Sequence, residues 1–150
     1  MLRDSIKSTQ VAAMKAGDKP RLAAVRLILA KLKDKDIELR TAAQLPDDDT
    51  LVVDVLQKMA KQRRESIALY QQGGRQELVD AETAELAVIE EFMPRQMAED
   101  ETIAAIAAIK AELGASSLKD MGKVIAELKA RHGTQLDMGK ASGLVKAALT

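Results

Sequence analysis

Leu22, Val25, Leu29 and Leu32 return at intervals of three and four residues. That spacing puts all four on one stripe of an α-helix and would scatter them over both faces of a strand. The glycines and prolines cut the rest of the chain into segments of the same kind. Residues 2–16 carry Leu2, Ile6, Ala13 and Met14 and stop at Gly17, the residue type that most often follows a helix end. Pro20 suits the first turn of a second helix, which runs toward Leu39. After Leu45-Pro46 the acidic run Asp47–Asp49 marks a third helix, with apolar positions 52, 55, 56 and 59, which stops at Gly73-Gly74. A fourth runs from about Gln76 to Phe92 and is closed by Pro94. Beyond it the chain becomes richer in alanine and glycine. Asp100 is the expected cap of a helix bearing Ile103, Ile106, Ala107 and Ile109 that ends at Gly114. Ser117 with Asp120 resembles a capping box for the next, and Asp137 opens the last. The expectation is an all-α chain: a four-helix unit over residues 1–94 and a three-helix unit over residues 95–150.

Composition supports helices and removes several kinds of chemistry. Phe92 and Tyr70 are the only aromatic residues, so Leu, Ile, Val, Met and Ala must fill the core. There is no cysteine for disulfides, thiol nucleophiles or thiolate metal sites, which fits a reducing compartment. A lone His132 supplies no multi-histidine site. No metal or cofactor is therefore expected. No apolar run reaches the roughly 18 residues of a membrane span, and the opening Met-Leu-Arg-Asp-Ser-Ile-Lys lacks the apolar region of a signal peptide. A cytoplasmic protein is expected.

The formal net charge of zero hides an uneven distribution. Residues 1–75 carry 15 Lys/Arg against 10 Asp/Glu, residues 76–112 carry 2 against 10, and residues 113–150 carry 6 against 3. Lys19, Arg26, Lys33 and Arg40 are seven residues apart, which in one continuous helix makes a slowly drifting basic ridge roughly 31 Å long beside the apolar stripe. Lys58, Lys61 and Arg64 add positive charge nearby. Such a row suits nucleic-acid phosphates. The alternative is a solvated helix edge facing the acids of the fourth helix.

A second constellation lies on the buried side. Val52, Leu56, Met59, Arg63, Ser66 and Tyr70 share one helical stripe, as do Leu78, Glu82, Glu85, Ile89 and Phe92. A guanidinium and two carboxylates thus fall on facing apolar lines, and the cost of an unpaired buried charge predicts that Arg63 meets Glu82 or Glu85. An orienting clamp inside the bundle explains this better than acid–base catalysis, since no nucleophile or metal set stands beside it.

Asp120-Met121-Gly122-Lys123 is echoed by Asp137-Met138-Gly139-Lys140, each near a helix start and each followed by Lys-Ala (Lys129-Ala130, Lys146-Ala147). Glycine early in a helix costs about 1 kcal/mol against alanine. It is retained either for close packing, the favoured reading, or for approach of a ligand to the backbone. No Gly-rich phosphate loop, G-x-S-x-G elbow, H-E-x-x-H or dinucleotide fingerprint occurs. The scarcity of aromatics removes base-stacking platforms, so a bound nucleic acid would be read by shape and backbone, as structured RNA is.

Four ordered segments carry a resemblance: Arg21-Leu22-Ala23-Ala24-Val25-Arg26-Leu27-Ile28, Lys61-Gln62-Arg63-Arg64-Glu65-Ser66-Ile67, Glu91-Phe92-Met93-Pro94-Arg95-Gln96-Met97 and Asp120-Met121-Gly122-Lys123-Val124. In this order and spacing the chain resembles the free-standing YqeY proteins of the GatB/YqeY family. The resemblance implies a helical bundle joined to a three-helix unit like the C-terminal tail of the B subunit of tRNA amidotransferases. It also implies a link to tRNA. By motif position it makes Lys123, and less directly Lys140 and Lys146, candidates for tRNA contact, alongside Arg26, Lys33 and Arg40 of the ridge. It supplies no catalytic residue. A glutamine-dependent carbon–nitrogen ligase activity belongs to the fused relatives and is the least favoured reading here. The favoured one is a tRNA-linked accessory module without catalysis of its own. Its rival is a protein adaptor for an aminoacyl-tRNA synthetase or amidotransferase subunit, favoured by net neutrality and the acidic stretch from Glu77 to Glu101.

Overall fold

A computed structural model describes residues 1–150. The protein is all-helical, with α1 Leu2–Ala16, α2 Lys19–Glu38, α3 Asp48–Gln72, α4 Gln76–Glu91, α5 Glu99–Leu113, α6 Met121–His132 and α7 Met138–Ala148. Short 3₁₀ turns at Leu39–Thr41, Leu118–Asp120 and Gly133–Gln135 link some of them. None is long and apolar enough to cross a membrane. The chain divides into two compact units, Met1–Met93 and Pro94–Thr150.

In the first unit the turns are written locally. Gly17 adopts a left-handed φ of 67°, and its N–H and that of Asp18 close the end of α1 on Met14 and Ala13. Asp18 then turns its side chain onto the N–H of Arg21, 3.2 Å away, and caps α2. Asp47 caps α3 through Thr50. Between α3 and α4, Gly74 supplies the φ of 68° that a side chain would resist. α1 packs along α2 and α3 along α4, while α2 also packs against α3 and α4. The interior holds Ile6, Val25, Ile28, Leu32, Val52, Leu56, Met59, Ile89 and Phe92. Each such side chain contributes about 1.5–3 kcal/mol when fully buried.

The buried line of α2 differs from the expected stripe. It runs through Ala24, Val25, Ile28 and Leu32, leaving Leu22 and Leu29 only half-buried. Met14 of α1 is also exposed, because α1 buries only Ile6 and Ala13.

The second unit is a mutual packing of α5, α6 and α7 around Ile106, Ile109, Val124, Leu128, Leu136, Ala141, Val145 and Leu149. The Ser117/Asp120 capping box is present, and Asp137 accepts from the N–H groups of Gly139 and Lys140 at the start of α7. Asp100, expected as the cap of α5, lies inside its first turn. Ala98 occupies the cap position, so Asp100 acts there only as an acid at the positive end of the helix dipole. Ile103 points outward and is 50% exposed, because the buried line of α5 passes through Thr102, Ile106 and Ile109.

Candidate nucleic-acid interface

The arginines divide sharply by partner. Seven of the nine face carboxylates: Arg3 with Asp36 and Asp48, Arg21 with Glu91, Arg63 with Glu82 and Glu85, Arg64 with Glu90, Arg75 with Glu77, Arg95 with Glu101, and Arg131 with Glu112 and Glu127. Arg26 and Arg40 have no such partner, and neither do Lys19 and Lys33. All four are exposed.

The geometry of α2 explains this. At about 100° per residue, Lys19, Arg26 and Lys33 lie more than a quarter-turn from the buried line through Val25, Ile28 and Leu32, with half-buried Leu22 and Leu29 between. They face solvent rather than the acids of α4. Those acids are held instead by Arg21, 2.9 Å from Glu91, by Arg64, 3.0 Å from Glu90, and by Arg63. The ridge is also shorter than the sequence predicts. α2 ends at Glu38 and Arg40 sits in the 3₁₀ turn Leu39–Thr41, so the helical part spans Lys19 to Lys33, about 21 Å. A 3₁₀ turn winds three residues per turn, which takes Arg40 off the seven-residue register. Of the cations noted near the ridge, Lys58 pairs with Asp54 at 3.4 Å, Arg64 is held by Glu90, and Lys61 is exposed.

Arg63 Nε lies 2.8 Å from Glu85 Oε2 and 3.4 Å from Glu82 Oε2, at the contact of α3 with α4. The Arg63 and Glu82 side chains are each 20% exposed and that of Glu85 is 38% exposed, so the cluster is half-buried rather than sealed. Arg63 Nε and Glu82 Oε2 are themselves cut off from solvent and make no hydrogen bond. The short distances therefore report charge proximity rather than aligned N–H donors, and the attraction is electrostatic. Two carboxylates converge on one guanidinium, an arrangement that ties two helices together and offers no nucleophile.

A third cluster was not singled out from the sequence. Arg3 donates from Nη1 and Nη2 to both oxygens of Asp36, at 2.8 and 3.0 Å, and from Nη2 and Nε to Asp48, at 2.9 and 3.2 Å. These hydrogen bonds raise the pKa of Arg3 and hold the Asp48 carboxyl below the usual carboxylate range. The bridge joins the start of α1 to α2 and to the start of α3, residues 33 and 45 positions away, which no local pattern announces.

In the second unit Lys123, Lys140 and Lys146 are exposed and lack carboxylate partners, as are Lys119 and Lys129, which sequence reasoning passed over. Arg131 is engaged with Glu112 and Glu127, and this draws the Glu112 carboxyl pKa down. Lys140 and Lys146 are six residues apart, about 120° around α7, so they occupy different flanks rather than one face. The two Asp-Met-Gly-Lys segments also differ in structure. Asp137 caps forward onto Gly139 and Lys140, whereas Asp120 turns back onto the N–H groups of Ser116 and Ser117, and its pKa is lowered by those bonds.

The favoured packing role does not hold for Gly122. A Cβ built on it meets nothing within 4 Å, because its face of α6 points away from Val124 and Leu128. What remains is open backbone one residue before Lys123.

A family model described as Yqey-like protein matches residues 3–149, a span that takes in α2–α7 and all of α1 but its first residue. The chain belongs to the YqeY-like family. Among curated proteins it is similar to Altered inheritance of mitochondria protein 41, mitochondrial, of Eremothecium gossypii, at 36% identity over 81 residues, 54% of this chain and 43% of that protein. The protein of the same name in Kluyveromyces lactis is 30% identical over 88 residues, 59% of this chain and 46% of that protein. The chain thus spans less than half the length of these relatives. The family match covers the clamp, the ridge and the lysines of the second unit alike.

Proposed function

We propose that this YqeY-like chain is an accessory module that binds the phosphate backbone of folded RNA, tRNA being the expected ligand, and carries out no reaction of its own. One observation supports the reading above the rest: the arginines used inside the molecule are matched to carboxylates, while Arg26 and Arg40 are left free and exposed on the same stretch as Lys19 and Lys33. Free guanidinium groups are the groups best suited to bidentate phosphate contact. Lys123, Lys140 and Lys146 are exposed cations of the second unit that suit further phosphate contacts. The acids of α4 weigh little against RNA, since Glu82, Glu85, Glu90 and Glu91 are each offset by an arginine. A tRNA-containing compartment is required, and the cytoplasm is the proposed one.

The test is retention of total tRNA by the purified protein across a salt series, beside Arg26→Glu/Arg40→Glu and Lys123→Glu/Lys140→Glu variants. Binding is expected to fall steeply with salt, and each lost phosphate contact to reduce the logarithmic salt slope by about one. Affinity unchanged in both variants sinks the proposal.

A second reading is favoured by a different surface. Ile103, Ala104, Ala107, Ala108 and Ala111 are exposed on one side of α5, free of charge over about two turns. That face suits a protein adaptor contacting an aminoacyl-tRNA synthetase or amidotransferase subunit. Capture of such a subunit that survives nuclease treatment, and is lost in Ala107→Glu, supports the adaptor over the RNA module.

A further inference from the structure

The RNA reading leaves unused a cleft of about 270 Å³ between α2 and α3, on the flank of α2 opposite Arg26 and Lys33. Its floor is apolar, made by Val55 and Met59, which are 7% and 4% exposed. Its walls carry both signs of charge. Lys31 and Asp34 stand one turn apart on α2, where their side chains are close enough to pair, yet neither is in an ion pair. The other wall charges are only loosely engaged: Lys35 lies 3.4 Å from Glu38, and Lys58 lies 3.4 Å from Asp54 outside the cleft. Exposed pairs of this length are weak and exchangeable.

This combination selects among ligands. A simple anion drawn by the lysines meets Asp34 and Glu38, and a polyanion meets them more severely. A simple amine meets three ammonium groups. The volume falls below that of pockets for drug-sized molecules, and a thioether floor adapts to varied aliphatic shapes. We propose that the α2–α3 cleft binds a small zwitterion of the α-amino-acid class, with its carboxylate on Lys31, its ammonium on Asp34 and an aliphatic side chain over Val55 and Met59. Glu38 and Lys35 form the rim.

Nuclear magnetic resonance titration of the full chain with leucine tests this, beside 4-methylpentanoate, which lacks the ammonium, isopentylamine, which lacks the carboxylate, and inorganic phosphate. Leucine is expected to give saturable shifts confined to residues 31–38 and 55–62, with affinity at least about tenfold above either analogue. Lys31→Ala and Asp34→Ala should each weaken leucine by a similar factor. Both positions are exposed, so an unchanged spectrum elsewhere verifies the fold, and unchanged tRNA retention separates this site from the ridge. The proposal is overturned by the absence of saturable shifts, by phosphate or 4-methylpentanoate binding as tightly as leucine, or by leucine binding that neither substitution alters.

Discussion

Both units leave some cations in solvent, but they differ in how many they use to tie helices together. In Met1–Met93, four arginines act as ties between helices: Arg3 joins α1 to α2 and α3, Arg21 joins α2 to α4, and Arg63 and Arg64 join α3 to α4. In Pro94–Thr150 Arg131 ties α6 to α5 and Lys110 Nζ donates from α5 to the carbonyl of Ala148 in α7 at 2.8 Å, while Lys119, Lys123, Lys129, Lys140 and Lys146 face solvent without partners. Long helices expose long edges, and a planar, multi-donor guanidinium can span from one to the next. The short helices of the second unit, 11 to 15 residues each, hold together chiefly through the aliphatic core of Ile106, Ile109, Val124, Leu128 and Val145, and five of the unit's lysines stay in solvent.

The largest expected effect tests whether the units differ in their interiors or only at their edges. Leu56→Ala in the first unit and Leu128→Ala in the second both empty a fully buried site, and each is expected to cost about 2–5 kcal/mol. In amide hydrogen exchange, Leu128→Ala should speed exchange through residues 99–149 and spare α1–α4, and Leu56→Ala should do the reverse. Equal loss everywhere would break the division into units.

Next in size is a comparison of like with like. Arg63→Ala leaves Glu82 and Glu85 half-buried without their counter-charge and should cost about 1–3 kcal/mol in urea unfolding. Arg131→Ala removes bonds that solvent screens more strongly and should lower the urea midpoint less than Arg63→Ala does. If the two costs are equal, guanidinium ties matter no more in the first unit than in the second.

Asp137→Ala should destabilise α7 by about 1 kcal/mol through loss of its cap. Gly122→Ala has the opposite sign. The added methyl meets open space and removes a helix-weakening glycine, so stability should rise by about 0.5–1 kcal/mol. If tRNA approaches that backbone, the same variant should bind it less well, and thermal unfolding with tRNA retention reads both.

The smallest effect concerns acid. The Asp48 carboxyl titrates below its unfolded value because Arg3 donates to it, so its contribution to stability is complete above about pH 4 and is lost as pH falls through the lowered folded value. Arg3→Ala should flatten the acid limb of the stability profile. Asp48 is half-exposed, so solvent screening keeps the change small.

Helix type and most helix ends were legible because their causes are local. The three- and four-residue spacing, Gly17, Gly73-Gly74, Gly114, the Ser117/Asp120 box and Asp137 all act within a turn of where they stand. Failures came where two local signals compete. Asp100 and Ala98 both precede an apolar run, and only the entry angle of the chain decides which one caps. Ile103 and Thr102 are neighbours, and packing chose the polar one for the interior, where its hydroxyl donates to the carbonyl of Ala98 at 3.0 Å.

What the sequence by itself determined is the all-α class, the helix punctuation and the presence of surplus cations, since propensity, caps and charge are properties of short segments. The tertiary structure decided which cations are free. Arg21 and Arg26 are five residues apart on one helix, yet only the first reaches α4, because the buried line of α2 is fixed by packing against its neighbours. It also decided the Arg3 bridge and the α2–α3 cleft, where groups tens of residues apart meet. Charge–charge and cavity geometry depend on distance in space, and the sequence supplies distance only along the chain.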